Sequence, residues 1–289
     1  MSRLDYLKVL ISIAVVCSFK VNATMPDYYS EPGYSSNRQY ETQQAVEHID
    51  PFTGSLQLEH IDVVAPGNGG VDIVARRIYR SPAGQAGVVG QNYLGGPTIL
   101  GLGWDMHFGR IYHTSPGGAG QPAFSTGLRS CGIDNVSSQS NPVLELSDGT
   151  RKQLSTSENQ TGGYGFISKD RWIGICELGY LVVVSPEGVR YTFSLKHDYA
   201  FQEAWHVTKI EDRFGNYLSI TYLSNTPQAL IDEVSSSDGR SLKFYYDNSS
   251  QHEAKLREIK LNGTRKMYYR YASANTNTTV GYDYLVKAE

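Results

Sequence analysis

A 24-residue repeat in the last third of the chain constrains its fold more than any other feature of the sequence. Gly215, Gly239 and Gly263 follow one another at intervals of 24 residues. Each glycine has a short apolar stretch before it and another after it, so every unit has the pattern strand, turn, strand. A single hairpin is only marginally stable in water, and such units must stack to bury their apolar faces. The repeat therefore predicts an array of antiparallel β-hairpins.

Apolar residues follow these glycines at matching offsets, with the third set displaced by one residue. They alternate with polar residues and so define one face of each second strand, which we expect to be buried. They are Leu218, Ile220 and Tyr222; Leu242, Phe244 and Tyr246; and Met267, Tyr269 and Tyr271. The regular offsets of the tyrosines favour packing over a sugar-stacking surface. Asp238-Gly239 and Asn262-Gly263 favour type I′ turns.

The composition supports β structure. Glycine and tyrosine are abundant, with 29 and 21 residues, and they suit tight turns and half-buried strands respectively. No segment has a sustained 3.6-residue apolar period, so we expect little helix. The sequence thus predicts an all-β fold, in which a loop-rich β region (residues 46–200) precedes an antiparallel β-hairpin repeat array (residues 201–289). The last unit of the array is incomplete.

The first 23 residues have the features of a signal peptide. Arg3 and Lys8 precede the apolar run Val9–Phe19, which is too short to span a bilayer. Small residues then favour cleavage after Ala23. We expect residues 24–45 to form a flexible polar leader. The predicted localisation is secreted, periplasmic or at the cell surface.

The end of the sequence resembles the start of another repeat unit. Tyr284–Glu289 has the pattern of a first strand without a turn or a return strand. Natural arrays usually close with a capping unit that covers the sheet edge. We therefore expect the sequence to be a fragment, or an early-terminated form, of a longer protein.

The cysteines leave two alternatives open. Loss of the leader would remove Cys17 and leave Cys131 and Cys176. In an oxidising compartment this pair can form a disulfide, whose closed loop would contribute about 3–4 kcal/mol in the chain-entropy model. The alternative is two separate buried thiols. Neither cysteine has partners at metal-ligand spacing.

One short segment carries residue types that occur in catalytic sites. In Trp104-Asp105-Met106-His107, a carboxylate and an imidazole would share one face of a strand, where they could act as acid and base or bind a ligand. Turn contacts explain these residues equally well. No HExxH, P-loop or GxSxG pattern occurs. We predict no catalytic, cofactor-binding or metal-binding residues and no enzymatic activity.

The overall charge gives no indication of a nucleic-acid or membrane partner. The formal net charge is −3 and the pI is about 6.2. A chain of this balance has no basic footprint for nucleic acid, and no block of like charge indicates binding to a membrane surface. Contact with a membrane is expected only through the signal peptide.

Short motifs follow one another in a characteristic order between residues 46 and 289. They are Asp50–Leu56, Pro66–Gly70, Arg77–Tyr79, Gly101–Trp104, His107–Ile111, Leu144–Thr150, Asp170–Trp172, Ser185–Phe193 and Ile210–Asn216. Their succession resembles the N-terminal region and first repeats of bacterial RHS/YD-repeat proteins. The resemblance implies a β-sheet ribbon that spirals into a hollow shell. In that family the shell often encloses a toxic C-terminal domain, and some members act in toxin complexes or in contact-dependent competition.

Three hypotheses for the function follow. The first is a non-enzymatic structural segment of an exported RHS/YD shell, linked to toxin encapsulation or delivery. Its partner would be the remainder of a longer RHS chain or another shell subunit. The second is a secreted β module that binds carbohydrate or a cell-surface partner. The third is a secreted hydrolase centred on Asp105 and His107. No catalytic residue can be carried over from the family, because the sequence lacks the family's self-cleaving core segment and toxin domain.

Overall fold

A computed structural model describes most of the region that was predicted to be β structure. The described residues are 47–49, 56–81, 99–101, 103–113, 142–156, 165–177, 180–199, 202–226, 229–247, 254–274 and 282–289. They form strands and turns, and within them the only helical segment is a 3₁₀ turn at Asn68–Gly70. The predicted all-β class is confirmed.

The strands are numbered along the chain. They are β1 (Glu47–Ile49), β2 (Leu56–Ala65), β3 (Ile73–Arg80), β4 (Trp104–Asp105), β5 (Gly109–His113), β6 (Pro142–Leu146), β7 (Arg151–Gln153), β8 (Ser155–Thr156), β9 (Phe166–Ile167), β10 (Ile173–Glu177), β11 (Tyr180–Val184), β12 (Arg190–Tyr199), β13 (Gln202–Glu211), β14 (Tyr217–Tyr222), β15 (Ile231–Ser236), β16 (Ser241–Asp247), β17 (Lys255–Leu261), β18 (Thr264–Ala274) and β19 (Tyr282–Ala288).

Within the described residues, these strands form two antiparallel sheets. The smaller sheet contains β1 to β4 in sequence order. The larger sheet runs from β8 to β19, and each strand pairs with the one before it in the chain. β5, β6 and β7 are attached to this sheet because β5 pairs with β13. Strands that are neighbours in sequence are therefore neighbours in space, as expected for hairpin units.

The larger sheet branches at β13. One edge of β13 pairs with β12, while the other edge is divided between two partners. Its residues Ala204–His206 pair with β5, and its residues Lys209–Glu211 pair with β14. The first hairpin of the array, β13–β14, therefore shares a strand with the region that precedes the array.

Four hairpins close with the same glycine-containing turn, and the turn Ser168–Arg171 has the same hydrogen bonds with Arg171 in the left-handed position. The glycine amide donates a hydrogen bond to the carbonyl three residues earlier in Leu146–Gly149, Ser185–Gly188, Asp212–Gly215 and Ser236–Gly239. The four glycines have φ between 82° and 90°, whereas the residue before each has an ordinary negative φ. This combination is a type I turn followed by a G1 bulge. Two of these turns, at 146–149 and 185–188, lie before residue 201.

The type I′ prediction is therefore wrong for Asp238-Gly239 and right for Asn262-Gly263. At the latter turn both residues have positive φ, 48° for Asn262 and 79° for Gly263. A type I turn with a G1 bulge needs only one left-handed residue, and glycine supplies it. Asp238 thereby avoids the left-handed conformation, which is costly for residues with a Cβ.

The predicted inward faces of the array are confirmed. Of the nine residues predicted to face inward, five are at most 3% exposed: Leu218, Ile220, Leu242, Phe244 and Tyr269. Partly buried residues that pack against the same core are Tyr222, Tyr246, Met267 and Tyr271. The alternation that was read from the sequence therefore corresponds to one continuous apolar face along the hairpins.

A tyrosine closes the open end of each hairpin in the array. The three hydroxyls donate to a carbonyl that lies 15 residues earlier in every case: Tyr222 to Val207 (2.7 Å), Tyr246 to Ile231 (2.9 Å) and Tyr271 to Leu256 (2.5 Å). The ladder between the two strands of each hairpin has already ended at these positions. The ring thus fills the space between strands that have moved apart, and its hydroxyl replaces the missing ladder bond.

A β-bulge in the following strand lies opposite each of these tyrosines. The register between β14 and β15 shifts at Tyr222, that between β16 and β17 at Tyr246, and that between β18 and β19 at Tyr271. Bulges redirect a side chain and increase the local twist. Burial raises the pKa of Tyr222 and of Tyr246 above the ordinary value for a phenol. Both hydroxyls therefore remain protonated donors at neutral pH.

The smaller sheet is attached to the array by polar contacts. The Tyr269 hydroxyl donates to Asp62 Oδ2 of β2 at 2.6 Å, and Arg77 Nε donates to Asp62 Oδ1 at 2.9 Å. The Arg240 guanidinium donates to the carbonyls of Ala65 and Val71 at either end of the β2–β3 connection. Residues from two repeat units therefore hold one side of this sheet.

Several sequence-based predictions lie outside the described residues. They are the signal peptide over residues 1–23, the polar leader over residues 24–45, and Cys131 with its disulfide to Cys176. They remain predictions.

Tyr246→Phe tests the tyrosine contact. The substitution removes the hydroxyl and leaves the Ile231 carbonyl without that donor, so we expect the free energy of unfolding to fall by about 1–2 kcal/mol. The control is Tyr245→Phe, because the Tyr245 ring lies on the opposite face beneath Lys260 and should cost less than about 0.5 kcal/mol. Urea denaturation measures both. Equal losses would show that the inward hydroxyl has no special role.

Candidate functional site

Asp105 and His107 do not lie on the same strand, but both belong to one cluster of charged side chains. β4 ends at Asp105, and the Met106 amide donates to Asp105 Oδ1 at 2.8 Å. His107 lies in the connection to β5, so the prediction that both residues share one face of a strand is wrong. The reason is that the chain leaves β4 directly after Asp105. Both side chains nevertheless face the same group of charged residues.

Glu145 of β6 lies at the centre of this group, which we call the Glu145 cluster: Arg80, Asp105, His107, Arg110, Glu145 and Arg151. Arg110 Nε donates to Glu145 Oε2 at 3.0 Å, and Arg80 Nη1 is in close contact with Glu145 Oε1. Arg151 Nε lies 3.6 Å from the same oxygen and His107 Nε2 lies 3.7 Å from it. The Glu145 side chain is 0% exposed.

Arg110 links the two carboxylates of the cluster. Its Nη1 atom lies 2.8 Å from Asp105 Oδ2, while its Nε donates to Glu145. Three guanidinium groups therefore surround two carboxylates. A guanidinium can contact two acceptors through its fixed fork of donors, which suits it to such a bridging position.

The cluster joins the two sheets. Arg80 belongs to β3 of the smaller sheet, whereas Glu145 belongs to β6 of the larger one. The contact is reinforced beside the β6–β7 turn, where Arg80 Nη2 donates to the Gly149 carbonyl at 3.2 Å and Gln57 Nε2 donates to the Asp148 carbonyl at 3.4 Å. The turn that carries Gly149 therefore lies against β2 and β3.

The electrostatics keep both carboxylates ionised. Burial by itself would raise the pKa of Glu145, but the guanidiniums of Arg110, Arg80 and Arg151 outweigh it and hold the pKa well below the usual range. The same balance, with Arg110 as the main cation, lowers the pKa of Asp105. Because a buried carboxylate is costly unless it is paired, the arginines are required for these residues to be charged inside the fold.

His107 is held in its neutral form. Burial lowers the pKa of the imidazole, Arg110 lowers it further, and the attraction of Glu145 opposes both. Neither ring nitrogen has a hydrogen-bond partner among the described residues. Burial of an imidazole without partners is unfavourable, and protonation next to Arg110 would be more so.

The geometry favours an ionic junction over an acid–base centre. The side chains of Glu145 and His107 are only 0% and 6% exposed, so a substrate could not reach either of them from solvent. Asp105 is the more accessible carboxylate, at 22% exposed, and its partner is the Arg110 guanidinium. The cluster can hold the two sheets in a fixed arrangement.

Most of the cluster was not predicted from the sequence. Asp105 and His107 were recognised as candidate residues, but Glu145, Arg80, Arg110 and Arg151 were not. One signal was present, because Glu145 is an acidic residue between two leucines in an apolar strand. A charge at such a position indicates a buried partner. The identity of the partners depends on contacts between segments that are distant in sequence.

The described residues include no cluster of metal-binding side chains, since no group of three or more His, Cys, Asp or Glu is placed to hold a metal ion. Cys176 lies in β10, where its backbone pairs with Leu181, and its predicted disulfide is not tested. The helices in the described part of the chain include none that is long and apolar enough to cross a membrane.

Comparisons with known proteins found similarity only among solved structures, where 16 chains match. No family model matches the chain, and no curated protein matches it. Among solved structures it is similar to a chain of the Photorhabdus luminescens Tc holotoxin pore with the mutation TccC3-D651A, at a TM-score of 0.49 and 12% sequence identity. The match covers 90% of this chain and 16% of that one, so this chain spans about a sixth of its length.

Glu145→Gln tests the junction. The substitution leaves the surrounding guanidiniums without their central carboxylate, and we expect the free energy of unfolding to fall by about 3–5 kcal/mol. The matched control is Glu177→Gln, which removes an ion pair with Arg190 whose side chains are 43% and 37% exposed and should cost less than about 1 kcal/mol. Denaturant titration measures both losses. Similar values for the two variants would contradict the assignment.

The pH dependence of stability provides a second test. Because the pKa of His107 is lowered in the folded chain, His107 binds more proton in the unfolded chain than in the folded one as the pH falls below its ordinary pKa of 6.5. Protons therefore favour unfolding, and His107 should contribute a loss of stability as the pH falls below about 6.5, of at most about 1.4 kcal/mol per pH unit. The slope between about pH 7 and pH 5 should be shallower in His107→Gln. An unchanged slope would contradict a neutral buried His107.

Proposed function

We propose that this chain is a non-enzymatic wall segment of an exported β-sheet shell of the RHS/YD type. The observation that carries the proposal is the repeated tyrosine contact. Tyr222, Tyr246 and Tyr271 each close a hairpin through a carbonyl 15 residues earlier. A contact that recurs with the same geometry in successive units is typical of a structural array rather than of a single binding or catalytic site.

The tyrosines provide a physical basis for a curved wall. Each ring separates the open ends of two paired strands, while the turn at the other end holds the strands together. A sheet built from such wedge-shaped hairpins bends in the same sense at every unit, because bulges and twist accumulate along it. A wall that encloses a volume requires this kind of repeated bend.

Two further observations support a structural role. The acidic and basic residues of the Glu145 cluster are paired with one another between the two sheets and are not presented to a ligand. The inward apolar face is continuous across the hairpins of the array. Export rests on the signal-peptide pattern, and encapsulation or delivery of a toxin rests on the resemblance to RHS/YD proteins. The proposed partner is the remainder of a longer RHS chain or another shell subunit.

The size of the endogenous protein tests the wall proposal. An antibody raised against residues 60–280 should detect either a polypeptide or a native assembly above about 100 kDa, because units of an array are stable when they are stacked on others. Denaturing immunoblots measure the chain, and native size-exclusion fractions measure the assembly. A protein near 32.0 kDa that is also monomeric under native conditions would contradict the proposal.

A further inference from the structure

The β17–β18 hairpin has a charge opposite to that of the whole chain. Between Lys255 and Ala274 there are six lysine or arginine residues and one acidic residue, Glu258, although the chain has a net charge of −3. The overall charge balance conceals this local excess. A strongly basic segment in an acidic chain is an electrostatic footprint for an anionic partner.

Five of the six cations of this hairpin project from the face opposite to the core, and the sixth, Lys255, is buried. The side chains of Arg265 and Arg270 are 61% and 63% exposed, those of Arg257 and Lys260 are 44% and 30% exposed, and Lys266 is also exposed. Met267, Tyr269 and Tyr271 lie on the inward side of β18, and a register shift between Ile259 and Lys260 breaks the alternation, so that Arg265 pairs with Lys260 on the outward side. The charges and the apolar residues therefore occupy opposite faces.

The acidic residue of the hairpin lies beneath the exposed cations and pairs with two of them. Glu258 is 4% exposed, with Arg265 Nε in close contact and Lys260 Nζ at 3.7 Å. The hydrogen bond from Arg265 lowers the pKa of Glu258. The carboxylate lies beneath the two cations and positions them. Two exposed carboxylates outside the hairpin also contact its cations: Arg257 Nη1 lies 3.1 Å from Asp247 Oδ1, and Arg270 Nη2 lies 3.4 Å from Glu289 Oε1.

Two tyrosine rings make cation–π contacts with three of the cations. Lys260 Nζ lies 4.5 Å from the centre of the Tyr245 ring, and the guanidiniums of Arg265 and Arg270 lie 5.2 and 5.7 Å from the centre of the Tyr268 ring. Tyr245, Glu258 and Tyr268 pair directly across β16, β17 and β18. They form a row across three strands that is surrounded by positive charge.

We propose that this basic face, formed by Arg257, Lys260, Arg265, Lys266 and Arg270, binds an anionic polysaccharide. An extended carboxylated or sulfated glycan can lie along an open sheet and present successive anions to the projecting cations. The inference is independent of the wall role, because packing uses the inward face and binding uses the outward one.

The aromatic residues and the polarity of the face favour this partner over two others. Binding of single-stranded nucleic acid uses open aromatic faces on which bases stack, whereas the Tyr245 and Tyr268 rings are contacted by the protein's own cations. Insertion into a membrane surface uses apolar side chains next to the basic ones. The basic face consists of five cations with Tyr245 and Tyr268 beside them and includes no aliphatic side chain, which favours a polar partner over a membrane.

The test is a binding titration of the full chain with labelled heparin and labelled polygalacturonate, with neutral dextran as the reference. Both anionic polymers should bind saturably at about 50 mM NaCl and more weakly at about 200 mM, because salt screens the contacts. Dextran should not bind. Absence of saturable binding to both anionic polymers at the lower salt concentration would overturn the proposal.

Two double variants locate the binding face. Lys266→Gln with Arg270→Gln removes two exposed cations of the hairpin and should weaken binding about tenfold. Lys209→Gln with Arg213→Gln is the matched control, since these cations lie over Tyr217 and Phe214 in the same manner; it should weaken binding less than about twofold. Equal effects would overturn the assignment to this hairpin. Thermal melting confirms that both variants are folded.

Competition with other polyanions identifies the class of partner. Unlabelled single-stranded DNA and vesicles that contain phosphatidylserine should displace labelled polygalacturonate less effectively than unlabelled polygalacturonate does, compared at equal anionic charge. Tighter binding of the DNA or of the vesicles would assign the face to that partner and overturn the polysaccharide proposal.

Discussion

The repeat region depends on one contact, the hydrogen bond from an inward tyrosine hydroxyl to a backbone carbonyl where the hairpin ladder has ended. A carbonyl buried beside an aromatic ring would be costly without a donor. Tyrosine supplies apolar area and a donor in one rigid side chain. Phenylalanine would fill the same space but leave the carbonyl without that donor. The contact therefore explains why tyrosine occupies this position in three successive units.

The Glu145 cluster has a different role: it holds the four-stranded sheet against the larger one. Apolar packing alone has little directionality, whereas Arg80 and Arg110 fix the position of one carboxylate from two sides. The Asp62–Arg77–Tyr269 contact does the same at the array. Buried charges at both junctions are costly to separate once the fold has formed. The two sheets are thus joined by specific partners as well as by a shared core.

Much of the array could be predicted from local patterns. The 24-residue spacing and the alternation of Leu218 and Ile220, or of Leu242 and Phe244, indicated both the hairpins and their buried face, because side-chain direction in a strand has a period of two. Turn type was less predictable. Asp238-Gly239 is compatible with more than one turn, and the structure uses the one in which only glycine is left-handed. The net charge of the whole chain gave no sign of the basic hairpin. Its exposed cations form a basic surface only because the folded hairpin places them on one face.

By itself, the sequence determined the all-β class, the hairpin repeat and the inward positions of Tyr222, Tyr246 and Tyr269, since these depend on short-range periodicity. Only the tertiary structure decided that Arg80 and Arg110 meet Glu145, that Asp62 receives the Tyr269 hydroxyl, and that His107 is enclosed. These contacts join residues from 35 to 207 positions apart. No local pattern specifies such a pair, because the free energy that selects it comes from burial and charge pairing that exist only after the sheets have packed together.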